Sequence, residues 1–155
     1  MMRYAARKLV LATRDVAGSG LKLKKTYSAP GVLAALRPAG CFDECTSEFN
    51  DRNGIAVRSS AEVYDDAGAA SKSLRDFASL VGQQSARDSA AASICDESAL
   101  FVTAILADRQ RFMSYALCWR QDEVIGKVTL VGPAERVNKA MAERLAGSQA
   151  GKVSA

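Results

Sequence analysis

ALFVTAILADRQRFMSYALCWRQDEVIGKVTLV, residues 99–131, holds three apolar runs separated by two short polar breaks. The runs 99–107, 111–120 and 124–131 are rich in Phe, Val, Ile, Tyr, Trp and Thr, side chains that pack well on a pleated surface. The breaks, Asp108-Arg109-Gln110 and Gln121-Asp122-Glu123, are too short for a crossover helix, so successive runs must pair antiparallel. The spacing predicts a three-stranded meander, and the rest of the chain is organised around it.

Upstream, Asn53-Gly54 is the preferred pair for a type I′ turn, flanked by the arms 46–50 and 55–64. In the second arm Ile55, Val57, Ala61 and Val63 share one face and Arg58, Ser60 and Glu62 the other, which predicts a hairpin with one wet face. Residues 21–27 alternate apolar and basic, a strand with Leu21 and Leu23 inward and Lys22 and Lys24 outward, and lysine suits a sheet edge. Residues 4–13 fit either a short helix or a strand.

Three helices are expected. A short one opens at Ser28-Ala29-Pro30 and ends by Pro38 and Gly40. A second is capped by Asp65-Asp66 and runs to about Val81, with Ala70, Leu74, Phe77, Ala78 and Val81 on one stripe. The third opens at Gly132-Pro133, buries Val137, Ala140, Met141 and Leu145, and stops at Gly147. Residues 41–45 read as a compact loop, 83–93 as a surface connection and 148–155 as a flexible tail. The expected architecture is a single α+β domain over residues 1–147, an antiparallel sheet of about five to six strands with helices on one or both faces.

Composition bounds the function. The chain has 155 residues, 48% of them hydrophobic, enough for one domain with its own core. Aromatic residues make up only 6%, so aliphatic side chains and alanine must fill most of that core. A mean hydropathy of −0.05 with 25% charged residues excludes disorder throughout and a membrane-embedded body. There is no histidine, which removes Ser-His-Asp and Cys-His catalysis, His-ligated zinc and an imidazole pH switch.

The net charge of +4 is concentrated. Residues 1–25 carry Arg3, Arg7, Lys8, Arg14, Lys22, Lys24 and Lys25 against Asp15, a local balance of +6, so the remaining chain sums to −2. This segment reads either as a solvated edge or as an anion-binding arm; a nucleic-acid binder would carry a basic body. The run Leu9-Val10-Leu11-Ala12 is too short for the apolar core of an export signal, and no stretch approaches the ~20 apolar residues of a membrane span.

Four cysteines stand at Cys41, Cys45, Cys95 and Cys118. The C-x3-C pair matches neither a redox C-x2-C nor a zinc knuckle, and the even count allows two disulfides in three connectivities. Local closure, Cys41–Cys45 and Cys95–Cys118, is the favoured pairing, because a turn near Arg109 sets Cys118 opposite about residue 100, where Cys95 enters the sheet. Four unpaired thiols are the alternative.

Among other candidates, Asp65-Asp66 is explained by a helix start. Asp43-Glu44 with Glu48 offers oxygen ligands, but adjacent acids point different ways and read as solvated charges. Asp96-Glu97 precedes the meander beside a cysteine. Tyr115, Trp119 and Met113 share one face of a strand, and either form core or, with Arg120 at its mouth, line a binding groove. No phosphate loop, dinucleotide fingerprint or nucleophile elbow is present, and no metal or cofactor is expected.

The stretches RDVAGSGLKLKKTYS (14–28), IAVRSSAEVYDDAGAASKSL (55–74), CDESALFV (95–102) and YALCWRQDEVIGKVTLVGPAERVNKAMAERLA (115–146) resemble a family of small bacterial exported domains, themselves similar to the PsbP-like α/β/α sandwich. Cys95 stands where those domains carry glycine, and Asp122-Glu123 where they carry Gly-Asn. The resemblance implies a binding or accessory module rather than an enzyme, acting outside the cytoplasm, and carries over no site residues. The leading expectation is therefore a non-catalytic accessory or binding domain that works through protein contacts. The alternatives are a subunit docking on an acidic surface through its basic segment, and a cysteine-based redox protein.

Overall fold

The computed structural model describes residues 4–28, 37–88 and 93–154. In chain order the elements are α1 (Ala6–Leu9), a 3-10 turn (Thr13–Val16), β1 (Lys22–Tyr27), β2 (Cys41–Asn50), β3 (Ala56–Tyr64), α2 (Ala67–Gly82), β4 (Ala86–Arg87), β5 (Glu97–Ala107), β6 (Gln110–Gln121), β7 (Val124–Pro133) and α3 (Lys139–Ser154). The described strands form one antiparallel sheet of seven, in the order β1-β2-β3-β7-β6-β5-β4. The fold is α+β.

The meander forms as its spacing predicts. Asp108 and Arg109 both take positive φ, 50° and 62°, as a two-residue turn between β5 and β6 requires, and Asp122 at 53° turns β6 into β7. β1 is an edge strand, as its lysines indicate.

Seven strands replace the expected five to six because a short segment without strand-like periodicity also pairs, and β2 is longer than its expected arm. Residues 41–45 are the first half of β2, not a loop, and lie along the end of β3 after a bulge between Cys41 and Asp43. Ala86–Arg87 pairs with Phe101 and Val102 as the short β4. The 50–56 connection also differs: Gly54 alone is left-handed, at φ 86°, and the Asp51 side chain accepts from the Asn53 and Ile55 N–H groups. This is a longer Asx-closed loop rather than a type I′ pair. The helix expected after Ser28 falls on residues 29–36, outside the described residues.

α2 matches its periodicity, with Asp66 capping the Ala69 N–H at 2.8 Å. α3 does not. It starts at Lys139 because β7 runs on to Pro133, and it continues through Gly147 to Ser154. Its buried stripe is Ala142, Leu145, Ala146, Gln149, Ala150 and Val153, whereas Ala140 is exposed. The expected flexible tail is the second half of this helix.

α3 and the N-terminal segment cover one sheet face, where Phe49, Val57, Leu117, Trp119, Val128 and Leu130 are all buried. α2 covers part of the other face, with Ala70 and Leu74 clustered on Tyr64, Phe101, Cys118 and Ile125. The remainder of that second face is uncovered by described residues.

Candidate functional site

The uncovered half-face is built from the outward positions of β2, β3 and β7, the wet face that the alternation of residues 55–64 announces. Antiparallel register brings Thr46 beside Ser60 and Glu48 beside Arg58 across β2 and β3, and sets Arg58 beside Thr129 and Ser60 beside Lys127 across β3 and β7. Two adjoining depressions, of about 330 and 310 Å³, lie on this face and share Arg58 and Thr129. Each reaches the lower end of the range of small-ligand sites. Phe77 of α2 walls one end and Tyr27 of β1 the other side.

Two charge clusters occupy the floor. Lys127 Nζ lies 2.6 Å from Glu62 Oε1 and 4.1 Å from the centroid of the Phe77 ring, so the cation is held between a carboxylate and an aromatic face. The other Glu62 oxygen accepts a short hydrogen bond from the Tyr64 hydroxyl, which lies 2.7 Å from Ser73 Oγ. Burial, reinforced by Glu62, pushes the Tyr64 phenol far above its usual range. In the second cluster Glu48 accepts from Tyr27 Oη at 3.0 Å and from Arg58 Nε at 3.1 Å, with Lys25 Nζ at 3.5 Å. Burial works to raise the Glu48 carboxyl, but the Tyr27 hydrogen bond and the two cations outweigh it and hold it below the usual carboxylate range. The cleft thus offers compensated charges and hydroxyl groups, with an aromatic wall. Such a surface suits a polar, hydrogen-bonding partner.

The residues singled out in the sequence fall elsewhere, or only partly here. Trp119 is completely buried beneath α3 and lines no groove; its Nε1 donates to Gln149 Oε1 at 3.2 Å. Arg120 projects from the opposite face to Trp119, as strand alternation demands. It clamps the entry to β5, donating to Glu97 at 2.5 Å, Asp96 at 3.3 Å and the Asp122 carbonyl at 2.9 Å. Arg120 therefore bridges both acids of the Asp96-Glu97 pair and offsets one of their two charges. Tyr115 packs partly buried against the α3-side core.

The four cysteines are free thiols, so the expected disulfides do not form. Four residues along a strand span ~13 Å, and the bulge turns Cys41 to the α2 face while Cys45 joins the α3-side core. Cys118 pairs with Ala99, four residues past Cys95, and donates to the Ala99 carbonyl at 3.6 Å. Burial pushes the Cys41 and Cys118 thiols to about 11, and raises Cys45 and Cys95 as well.

Asp43 and Glu44 separate to opposite faces: Asp43 accepts from the Ala6 N–H at 2.8 Å, while Glu44 borders the cleft. Among the described residues no group of three Cys, Asp or Glu side chains converges to hold a metal ion. No described helix is long and apolar enough to cross a membrane.

The basic segment divides. Lys25 and Lys24 belong to the cleft side, whereas Arg7, Lys8 and Arg14 are exposed on the segment around α1; Lys22 is exposed on β1, and Arg3 lies outside the described residues. The cleft itself was missed by sequence reasoning as a site. Its signals are the polar alternation of β3, which marks a wet face without saying that two more strands extend it, and the scattered candidates Glu44, Glu48, Lys24 and Lys25, which fall on it.

No family model matches the sequence, and no curated protein matches it significantly. Among solved structures, the crystal structure of the extracellular domain of PknH from Mycobacterium tuberculosis is similar, with a TM-score of 0.71 and 11% identity, covering 96% of this chain and 94% of that one. At that identity the likeness is one of fold.

Proposed function

We propose that this chain is a non-catalytic binding or accessory domain that works outside the cytoplasm and receives a polar partner on the open half of its sheet. The observation that carries this reading is the cleft between Phe77 and Tyr27, whose charges are already paired with one another. Such pairs orient a hydrogen-bonding partner without leaving a bare charge to act as acid, base or nucleophile. The raised thiols support the same reading, since a thiol that stays protonated is a poor nucleophile. The extracytoplasmic placement is supported by the fold shared with the PknH extracellular domain and by the PsbP-like resemblance of the sequence.

A photo-crosslinking amino acid placed at Thr129, in the cleft, and separately at Arg144, exposed on α3, tests the reading in native cells. Partner adducts at residue 129 and none at 144 are expected, in the extracytoplasmic fraction. Adducts at 144 alone, or recovery of the protein from the cytosol, would overturn it.

A further inference from the structure

We infer that a second site, on the opposite side of the sheet from the cleft and independent of it, binds a phosphate headgroup carrying an alkyl chain, through Arg7 and Arg14 over an apolar floor. A depression of about 430 Å³ lies between the N-terminal segment and β1; Arg7 and Arg14 border it, the buried Val10 and Leu11 underlie it, and Leu23 supplies its exposed apolar surface. Leu23 is 44% exposed, so a large aliphatic side chain faces solvent beside two cations.

Two carboxylates beside this segment, Asp15 and Asp43, are committed to other partners. Asp15, the one acid in the segment, accepts from the Ala12 N–H at 2.6 Å and pairs with Lys152 Nζ at 2.6 Å. Asp43 is committed to the Ala6 N–H at 2.8 Å. No hydrogen bond or ion pair engages the Arg7 or Arg14 guanidinium among the described residues. By contrast Arg58, Arg120, Lys127 and Lys152 each meet a carboxylate.

The frame that carries the two arginines is fixed. The Leu11 N–H donates to Ser59 Oγ at 2.9 Å, Ser47 Oγ donates to the Leu11 carbonyl at 2.8 Å, and Lys152 Nζ donates to the Val10 carbonyl at 2.9 Å. The segment is therefore pinned to β2, β3 and α3. Two planar guanidinium forks presented from a rigid segment match the several oxygens of a phosphate, and the exposed leucine beside them matches an alkyl chain. Lys8 and Lys22, both exposed nearby in sequence, add long-range attraction for an anion.

Co-sedimentation with vesicles of phosphatidylglycerol in phosphatidylcholine, against phosphatidylcholine alone, forms one arm of the test; titration with soluble dihexanoyl phosphatidic acid forms the other. Binding to the anionic vesicles or the soluble phosphate is expected; vesicles alone would identify a bilayer source and the soluble compound a free one. Arg7→Glu and Arg14→Glu, each a change of two charge units, should each weaken binding roughly thirtyfold. Leu23→Ser should weaken it while leaving its salt dependence intact. Arg144→Glu makes the same charge change on α3, and thermal melting checks that each variant folds. No binding in either arm, or an equal loss with Arg144→Glu, would overturn the proposal.

Discussion

Trp119 on β6 stands directly across from Gly126 on β7, and its indole fills the space that a side chain at Gly126 would need. A Cβ at residue 126 would lie 2.1 Å from Cε2 and Cζ2 and 2.5 Å from Nε1. The largest side chain of the core is thus accommodated by the absence of one on the neighbouring strand, and α3 closes over both. Gly126→Ala should cost about 3 kcal/mol, because neither backbone nor a fully buried indole can move away cheaply. Urea unfolding followed by the fluorescence of the single tryptophan measures it. A loss below about 1 kcal/mol would show that the indole has room to shift.

The same indole is tied to α3 by Gln149, which is itself fully buried. Its Oε1 accepts from Trp119 Nε1, and its Nε2 donates to the Ser60 carbonyl at 2.7 Å, joining α3 to β6 and β3. Gln149→Leu keeps the volume but strips the indole N–H of its acceptor, and should cost about 2 kcal/mol. Ending the chain after Gly147 should cost more, since Ala150, Val153 and the Lys152 contacts go too. Wild-type stability in that truncation would contradict the packing of α3.

These two residues also show where the sequence stops being legible. The strands of the meander, the edge position of β1 and the helix after Asp66 each follow from local pattern: period two, exposed lysine, a cap before a stripe. The C-terminal half of α3 has no such pattern, because its buried positions are Ala146, Gln149, Ala150 and Val153, of which only the last is a sizeable apolar side chain, beside two glycines. Its burial is decided by Trp119 and Ser60, which are remote in sequence. Residues 41–45 fail for a related reason. Cys-Phe-Asp-Glu-Cys lacks alternation because a bulge resets it, and Asp43 points inward to cap the Ala6 N–H. The cleft is half legible: β3 shows its polar face, but the partners Tyr27, Glu48 and Lys127 come from three other strands.

Acid should loosen the entry to β5. The hydrogen bond from Arg120 holds the Glu97 carboxyl below the usual carboxylate range, with the Ser71 hydroxyl adding to it and burial opposing. A carboxyl whose folded value is depressed contributes fully above its unfolded value, and the contribution is lost as pH falls through the folded one. Stability should therefore decline from about pH 4.5 downward, and Glu97→Gln should flatten that decline while lowering stability at neutral pH. Denaturation midpoints at several pH values for the two proteins check this. Parallel curves would mean that Arg120 does not discriminate between the charged and neutral carboxyl.

The thiols should behave as four separate groups with unequal access. Cys95 is exposed on a left-handed turn at φ 59°, Cys41 is half-buried, and Cys45 and Cys118 are buried. Because burial raises all of them, little thiolate exists at neutral pH anywhere in the chain. Titration with a chromogenic disulfide should label Cys95 first and slowly, accelerating as pH rises toward the alkaline range. Cys45 and Cys118 should react only when denaturant opens the core. Intact mass under non-reducing conditions should correspond to four thiols, and a deficit of a hydrogen pair would reveal a bridge that the opposed faces of Cys41 and Cys45 do not permit.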